Sequence, residues 1–185
     1  MRFALLIVAS LLCVSCAKSH DIRSAKLEFE SIQSRSENIF FDVNFYSDME
    51  LLELFRREKK ANSYDQVFIC ALGEDTDFSV EHTISKAAMG LIEENKEPLR
   101  QAGFAYTARI AVKNVAEKKR SSTYLSREEL EKLLVGKQSI PCKVVITATG
   151  YKAYYTQSMF IPVADILSAL VDDSVKGETV SPASE

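Results

Sequence analysis

The chain has 185 residues, with 23 Lys and Arg against 26 Asp and Glu and a formal net charge of −3. That balance argues against nucleic acid as the main ligand, because a phosphate backbone is met by a basic face or stripe. A length of this order fits one domain that buries most of its unfolded surface, so no disulfide scaffold is required.

Met1-Arg2 is followed by an apolar run from Phe3 to Leu12 and then by Cys13-Val14-Ser15-Cys16. One positive charge, a short apolar run and small residues before a cleavage point read as a secretory signal peptide over residues 1–15, too short to span a bilayer as a stable helix. Val14-Ser15-Cys16 resembles the lipobox of bacterial lipoproteins, with Cys13 in the place where that pattern usually has Leu. The resemblance implies cleavage before Cys16, a diacylglycerol on its thiol and a further acyl chain on its amine. Two or more chains hold a protein on a membrane where one does not. Ala17 stands where the lipoproteins retained in the inner membrane carry Asp. The implied location is therefore the outer membrane of a Gram-negative cell, facing the periplasm. Ordinary signal-peptidase cleavage after Ala17, at the small pair Ser15 and Ala17, is the alternative; both readings export the domain.

Arg2 is the only charge in residues 1–15, so its loss leaves 22 basic and 26 acidic residues and a balance of −4. Cys13 leaves with the leader and Cys16 would carry lipid, so Cys70 and Cys142 remain. Two thiols in an oxidising compartment predict one disulfide between them. Both lie inside apolar runs, Val67 to Leu72 and Cys142 to Ile146. A structural bridge or two inert buried thiols therefore stand ahead of a reactive centre.

Residues 16–38 are polar and Ser-rich and read as the lipidated N-terminus and a tether, with a loose helix through Ile22, Leu27, Phe29 and Ile32. Ile39, Phe41, Val43 and Phe45 then alternate with polar or outward positions and predict a strand. Ser47-Asp48-Met49-Glu50 has the form of a capping box and predicts a helix from Asp48 to Lys60. Val67 to Leu72 is apolar on both faces, as a central strand covered on both sides would be. Val80, Ile84, Ala87, Ala88, Leu91 and Ile92 recur at helical spacing, with Asp77 or Ser79 as cap and Pro98 as the interruption. Phe104, Tyr106, Ala108, Ile110 and Val112 alternate as a third strand. The basic loop Lys118-Lys119-Arg120 leads to a second capping box, Ser126 to Glu129, and a short helix stopped by Gly136. Strands over Lys143 to Thr149 and Ala153 to Ile161 are joined by a hairpin at Gly150-Tyr151-Lys152. Pro162 opens a last helix through Val171. The globular domain is thus expected over 39–172, followed by a disordered tail over 173–185.

The expected order β-α-β-α-β-α-β-β-α predicts a single α/β domain bordering on α+β, with a mixed sheet of about five strands and helices packed on its faces. That order resembles the thioredoxin-like fold, and Ile140-Pro141-Cys142 followed by Thr149-Gly150 resembles that family's Ile-Pro entry and Gly turn. The resemblance implies a cis bond before Pro141, facing the active site. Where the family's redox pair stands, this chain has Asp75-Thr76-Asp77-Phe78-Ser79 and no Cys-x-x-Cys to place a thiolate at a helix N-terminus. The N-terminal domain of the TolB translocation protein and related outer-membrane lipoproteins share a similar order.

Asp75, Asp77, Ser79 and Glu81 alternate like the start of a calcium loop, but Val80 and Lys86 occupy the positions that need Gly and a bidentate Glu. Asp77, Ser79 and His82 lie close together without a G-x-S-x-G elbow. His20 is the only other imidazole, so no His-rich metal site is available. No catalytic or metal residue is assigned, and no cofactor beyond the covalent lipid on Cys16. The runs Lys118 to Arg120 and Arg56 to Lys60 offer charge to anionic headgroups or an acidic partner. Tyr151, Tyr154 and Tyr155 around the hairpin turn are the candidate partner-binding surface, since Tyr gives large contact area at low entropy cost.

These features predict a membrane-anchored lipoprotein in the periplasm that binds another protein without catalysis. Its role would be assembly or accessory to an envelope, secretion or conjugation machine, or immunity or exclusion. A thiol-dependent redox protein using Cys70 and Cys142 is the second reading. A small-ligand carrier with a Phe-lined pocket is the third.

Overall fold

Alternation of buried and exposed residues dominates this chain, and it builds strands. The computed structural model describes residues 17–35, 39–61, 64–95, 103–116 and 121–177. The elements in order are β1 (Leu27–Ser34), β2 (Phe40–Ser47), α1 (Leu54–Lys59), β3 (Tyr64–Ala71), β4 (Lys86–Glu94) and β5 (Phe104–Val115). They continue with β6 (Ser122–Tyr124), α2 (Arg127–Leu134), β7 (Ser139–Ala148), β8 (Tyr154–Tyr155), β9 (Met159–Pro162) and α3 (Val163–Gly177). Among the described residues, these nine strands join one sheet in the order β1-β2-β5-β4-β3-β7-β8, with β6 added to β5 and β9 to β7. Each strand pair is antiparallel.

The expected α/β domain is therefore corrected. Among the described residues the protein is mostly antiparallel β, and its sheet curls into a half-barrel in place of a mixed sheet with helices on its faces. The inner face buries Phe41, Val43 and Phe45 of β2, Tyr106, Ala108 and Ile110 of β5, and Phe68 and Cys70 of β3. Phe55 of α1, Leu130 and Leu134 of α2, and Ile166 and Leu170 of α3 fill the concavity. At one edge, β1 lies against β9 and α3, so the two ends of the sheet approach each other.

Several predicted elements change type, each for a local reason. Residues 80–92 form no helix, because Asp75 Oδ1 accepts the Asp77 amide at 3.1 Å and Asp77 Oδ1 accepts the Ser79 amide at 2.9 Å. Side-chain turns of this kind compete with the first helical turn. The chain beyond them becomes β4, whose Gly90 packs against β5 so closely that a Cβ would stand 1.7 Å from the Arg109 carbonyl oxygen. The capping box at Ser47 is likewise not formed. Ser47 ends β2, the Leu51 amide donates to the Tyr106 hydroxyl at 2.7 Å, and the Glu50 carboxylate accepts the Glu53 amide, which delays α1 to Leu54.

The second capping box forms as expected: Ser126 and Glu129 cap each other's amides, and the helix ends before Gly136 at φ +77°. The predicted strand over 153–161 is split into β8 and β9, because Thr156 Oγ1 accepts the Val144 amide and the Gln157 amide turns away to the Ala25 carbonyl. Pro141 lies within β7, and no peptide bond among the described residues is cis, so the thioredoxin-like entry is absent. The last helix begins at Val163, directly after Pro162, and runs to Gly177.

The stretch expected to be a tether is built into the fold from Lys18 onward. The Lys18 amide donates to Gly150 O and the Lys152 amide to Lys18 O, both at 2.9 Å. Ala25 and Leu27 are buried, and β1 pairs along the whole of β2. Gly90→Ala is expected to lower the stability of the domain by about 3 kcal/mol or more, because the added methyl meets backbone on the next strand and nothing flexible can yield. A urea unfolding midpoint unchanged by that substitution would contradict the β4–β5 packing.

Candidate functional site

The outer face of a curled antiparallel sheet is free to be polar, since water can solvate it. Here its central strands are not. Val67 and Ile69 of β3, Met89 of β4 and Val145 of β7 project there and form one wall of a pocket of about 530 Å³. The loop over residues 74–85 supplies the other wall through Phe78, Val80 and Ile84. Phe78 and Ile84 are largely buried against Ala71 and Ala87, with Ile69 and Met89 beside them. Lys113, Thr147 and Ser122 give the rim its polar groups.

The loop is held at several points. Lys137 Nζ donates to Gly73 O at 3.1 Å and to Glu74 Oε1 at 2.6 Å, which lowers the Glu74 carboxyl below its ordinary value. The Val80 amide donates to the Tyr155 hydroxyl at 3.2 Å. His82 Nε2 lies 2.6 Å from Asp75 Oδ2, and this bond together with the Asp77 amide holds the Asp75 carboxyl below its ordinary value. Lys143 Nζ stands 5.6 Å over the Phe78 ring. The carboxylates at 75 and 77 are therefore spent on turns and on His82. Among the described residues, no group of three His, Cys, Asp or Glu side chains is placed to hold a metal ion.

Cys70 and Cys142 face each other directly in the β3–β7 register, with Sγ atoms 2.02 Å apart and Cα atoms 4.0 Å apart. Both are 0% exposed, so this disulfide is part of the core and out of reach of a substrate. Cys16 and the basic loop Lys118 to Arg120 lie outside the described residues.

The three tyrosines proposed as a partner surface separate. Tyr154 is 1% exposed, and its hydroxyl accepts the Ala25 amide at 2.6 Å and donates to Arg23 O at 3.0 Å. Burial pushes its phenol pKa upward, as it does more strongly for Tyr106. Tyr154 is thus a core staple for the N-terminal segment, which corrects its assignment to an exposed surface. Tyr151 is half-buried, with its ring centroid 5.8 Å from that of Phe55, and Tyr155 is half-buried against the 74–85 loop. His20 packs between Phe55 and Tyr154, with Nε2 3.3 Å from Ala153 O.

The residues that sequence reasoning missed are the pocket walls. The two-sided apolar pattern of Val67 to Leu72 carries the signal, but the same pattern fits a strand covered by helices on both faces. One face is covered only by a loop. Compared with known proteins, the chain matches no family model, no curated protein and no solved structure.

Two outcomes follow from this geometry. Opening the Cys70–Cys142 bond, or replacing both residues by Ala, is expected to cost about 4 kcal/mol, since the bond closes a loop with a sequence separation of 72. Urea unfolding with and without reductant measures it, and in the native chain neither sulfur should be reduced and alkylated until the domain opens. The lowered Asp75 value means that its turn is stabilised at and above the ordinary carboxylate range and loses that stabilisation as the pH falls through the lowered value. The protection factor of the Asp77 amide should therefore fall on acidification below about pH 4, and Asp75→Asn should abolish that acid step.

Proposed function

We propose that this chain is a lipid-anchored, periplasm-facing binding module of the outer membrane that captures a protein partner without catalysis. It acts as an assembly, accessory, immunity or exclusion component. The anchor rests on the lipobox-type sequence at Cys16. The binding role rests on one observation: an apolar pocket that stays open between the outer sheet face and the 74–85 loop, beside the cluster of Ala71, Phe78, Ile84 and Ala87 on which the loop packs. Its walls combine strand residues that pack rigidly with a loop tied down by side-chain bonds, so a partner's apolar side chains would find a largely formed site.

A small-ligand carrier is the second reading, favoured by the pocket's volume of about 530 Å³, within the range of small-molecule sites. The thiol-dependent alternative loses support, because both sulfurs are buried in the core.

Photo-crosslinking in cells separates these readings. A crosslinker at Met89 should join the chain to a discrete protein partner, while one at exposed Val135 should not. Ile69→Lys should cut the Met89 crosslink at least about tenfold, the equivalent of losing one buried apolar anchor. Crosslinks of equal yield from both positions, or from neither, would remove the protein-binding reading. A small molecule released on denaturing the purified chain, seen by native mass spectrometry, would replace it with the carrier. Cys16→Ser should let a high-salt wash move the chain from the membrane to the soluble fraction, which the acylated chain resists.

A further inference from the structure

Five cations gather at one end of the sheet: Lys18, Arg57, Lys59, Lys60 and Lys152. None of the five has an ion pair among the described residues, whereas Arg23, Lys26 and Arg56 are paired with Asp48, Glu28 and Glu53. The fold brings the five together from three segments. Lys18 and Lys152 are joined through the backbone around Gly150. The Phe55 ring contacts both Tyr151 and His20, which packs α1 beside that turn. Tyr64 pairs with Ala148, so Lys60, at the close of α1, reaches the same end of the sheet. Of the nearby acids, Glu50 is engaged with the Glu53 amide and Glu53 with Arg56, which leaves Asp21, Glu58 and Asp65, three carboxylates against the five cations. This end is thus locally positive in a chain whose net charge is −3.

It is also the end that holds Lys18, next to the first described residue, Ala17. Lys18 follows Cys16 by two residues, a reach of at most about 7 Å. We propose that this end is a seat for anionic phospholipid headgroups, set directly against the bilayer; its placement at the membrane rests on the Cys16 anchor described above. Acyl chains on Cys16 would leave Lys18 and the turn around Gly150 within headgroup distance. The unpaired cations then meet the phosphates, adding an electrostatic attraction to the hydrophobic one and fixing which end of the domain faces the membrane.

The test uses the chain from residue 16 onward with Cys16→Ser, which contains every described residue. This unlipidated chain should cosediment with phosphatidylcholine vesicles containing phosphatidylglycerol and not with phosphatidylcholine alone, and the binding should weaken with salt. Arg57→Gln, Lys60→Asn and Lys152→Gln should each cost about fivefold in affinity. Lys86→Gln, Lys132→Gln and Lys143→Gln, elsewhere on the domain, should each cost far less. Equal losses from the two sets, or no preference for phosphatidylglycerol, overturn the seat. Orientation has a clean reporter, because the chain contains no Trp. Thr149→Trp should be quenched by brominated lipid and Val135→Trp should not; the reverse pattern also overturns the seat. The mass of the membrane-extracted chain reads the anchor separately. An unacylated chain that still binds by this end removes the anchor and keeps the seat, and an acylated chain without lipid preference does the opposite.

Discussion

The pairing of β3 with β7 is the constraint on which the rest of this domain depends. A one-residue slip between two strands moves every side chain to the opposite face. Here the register is locked covalently, because Cys70 and Cys142 sit opposite each other and are bonded. With that register fixed, Phe68, Val144 and Ile146 face the core, while Val67, Ile69 and Val145 face outward. The hydrophobic core and the candidate pocket are two sides of the same alternation. β3 also launches the 74–85 loop and pairs with β4, so the second wall of the pocket hangs from the same strand.

How much of this was legible in the sequence depends on whether a pattern had one physical explanation or two. Phe41, Val43 and Phe45 alternate strictly, and so do Tyr106 through Val112; these strands were read with their buried sides correct. Ser126 to Glu129 formed its capping box because the apolar residues after it, Leu130 and Leu134, fall on one helical face. The failures came where a short apolar set fits both periods. Ala87, Ala88, Leu91 and Ile92 have helical spacing, yet the strand buries Ala87 on one side and Ala88 and Ile92 on the other, leaving Leu91 65% exposed. Gly90, costly in a helix and required by the close approach of β5, was the residue that should have decided the matter. The Asp-x-Asp-x-Ser sequence was legible as a helix cap and is used as consecutive turns, a choice set by where Phe78 and Ile84 find apolar cover.

The N-terminal segment was illegible for a different reason. Its polar composition is that of a tether, and nothing local marks it as a strand. What folds it is distant: the Tyr154 hydroxyl takes the Ala25 amide and returns a bond to Arg23, while Gly150 and Lys152 hold Lys18. The same distant demand explains why Tyr154 is buried. A phenol can enter the core at low cost when its oxygen satisfies backbone groups that would otherwise be stranded. Read alone, the Tyr-rich hairpin resembles an interface; read with the segment it staples, it closes the gap between the β7–β8 edge and β1.

That closure also relates the two surfaces. Side chains stand roughly perpendicular to a sheet, so the pocket wall faces outward from β3 and β7. The turn around Gly150 lies along the strand direction, beyond the end of β7 marked by Ala148. A domain held by its turn end thus keeps the pocket open to the side instead of pressing it into the bilayer. The loop that walls the pocket is tied at its start by Lys137, just before β7 begins and so at the end of that strand farthest from the turn. In the proposed arrangement, attachment and capture would draw on different residues of one sheet. With acyl chains on Cys16 as proposed, the single residue between it and Lys18 would leave the domain little freedom to rotate, and a pocket on the sheet would become a pocket with a fixed direction.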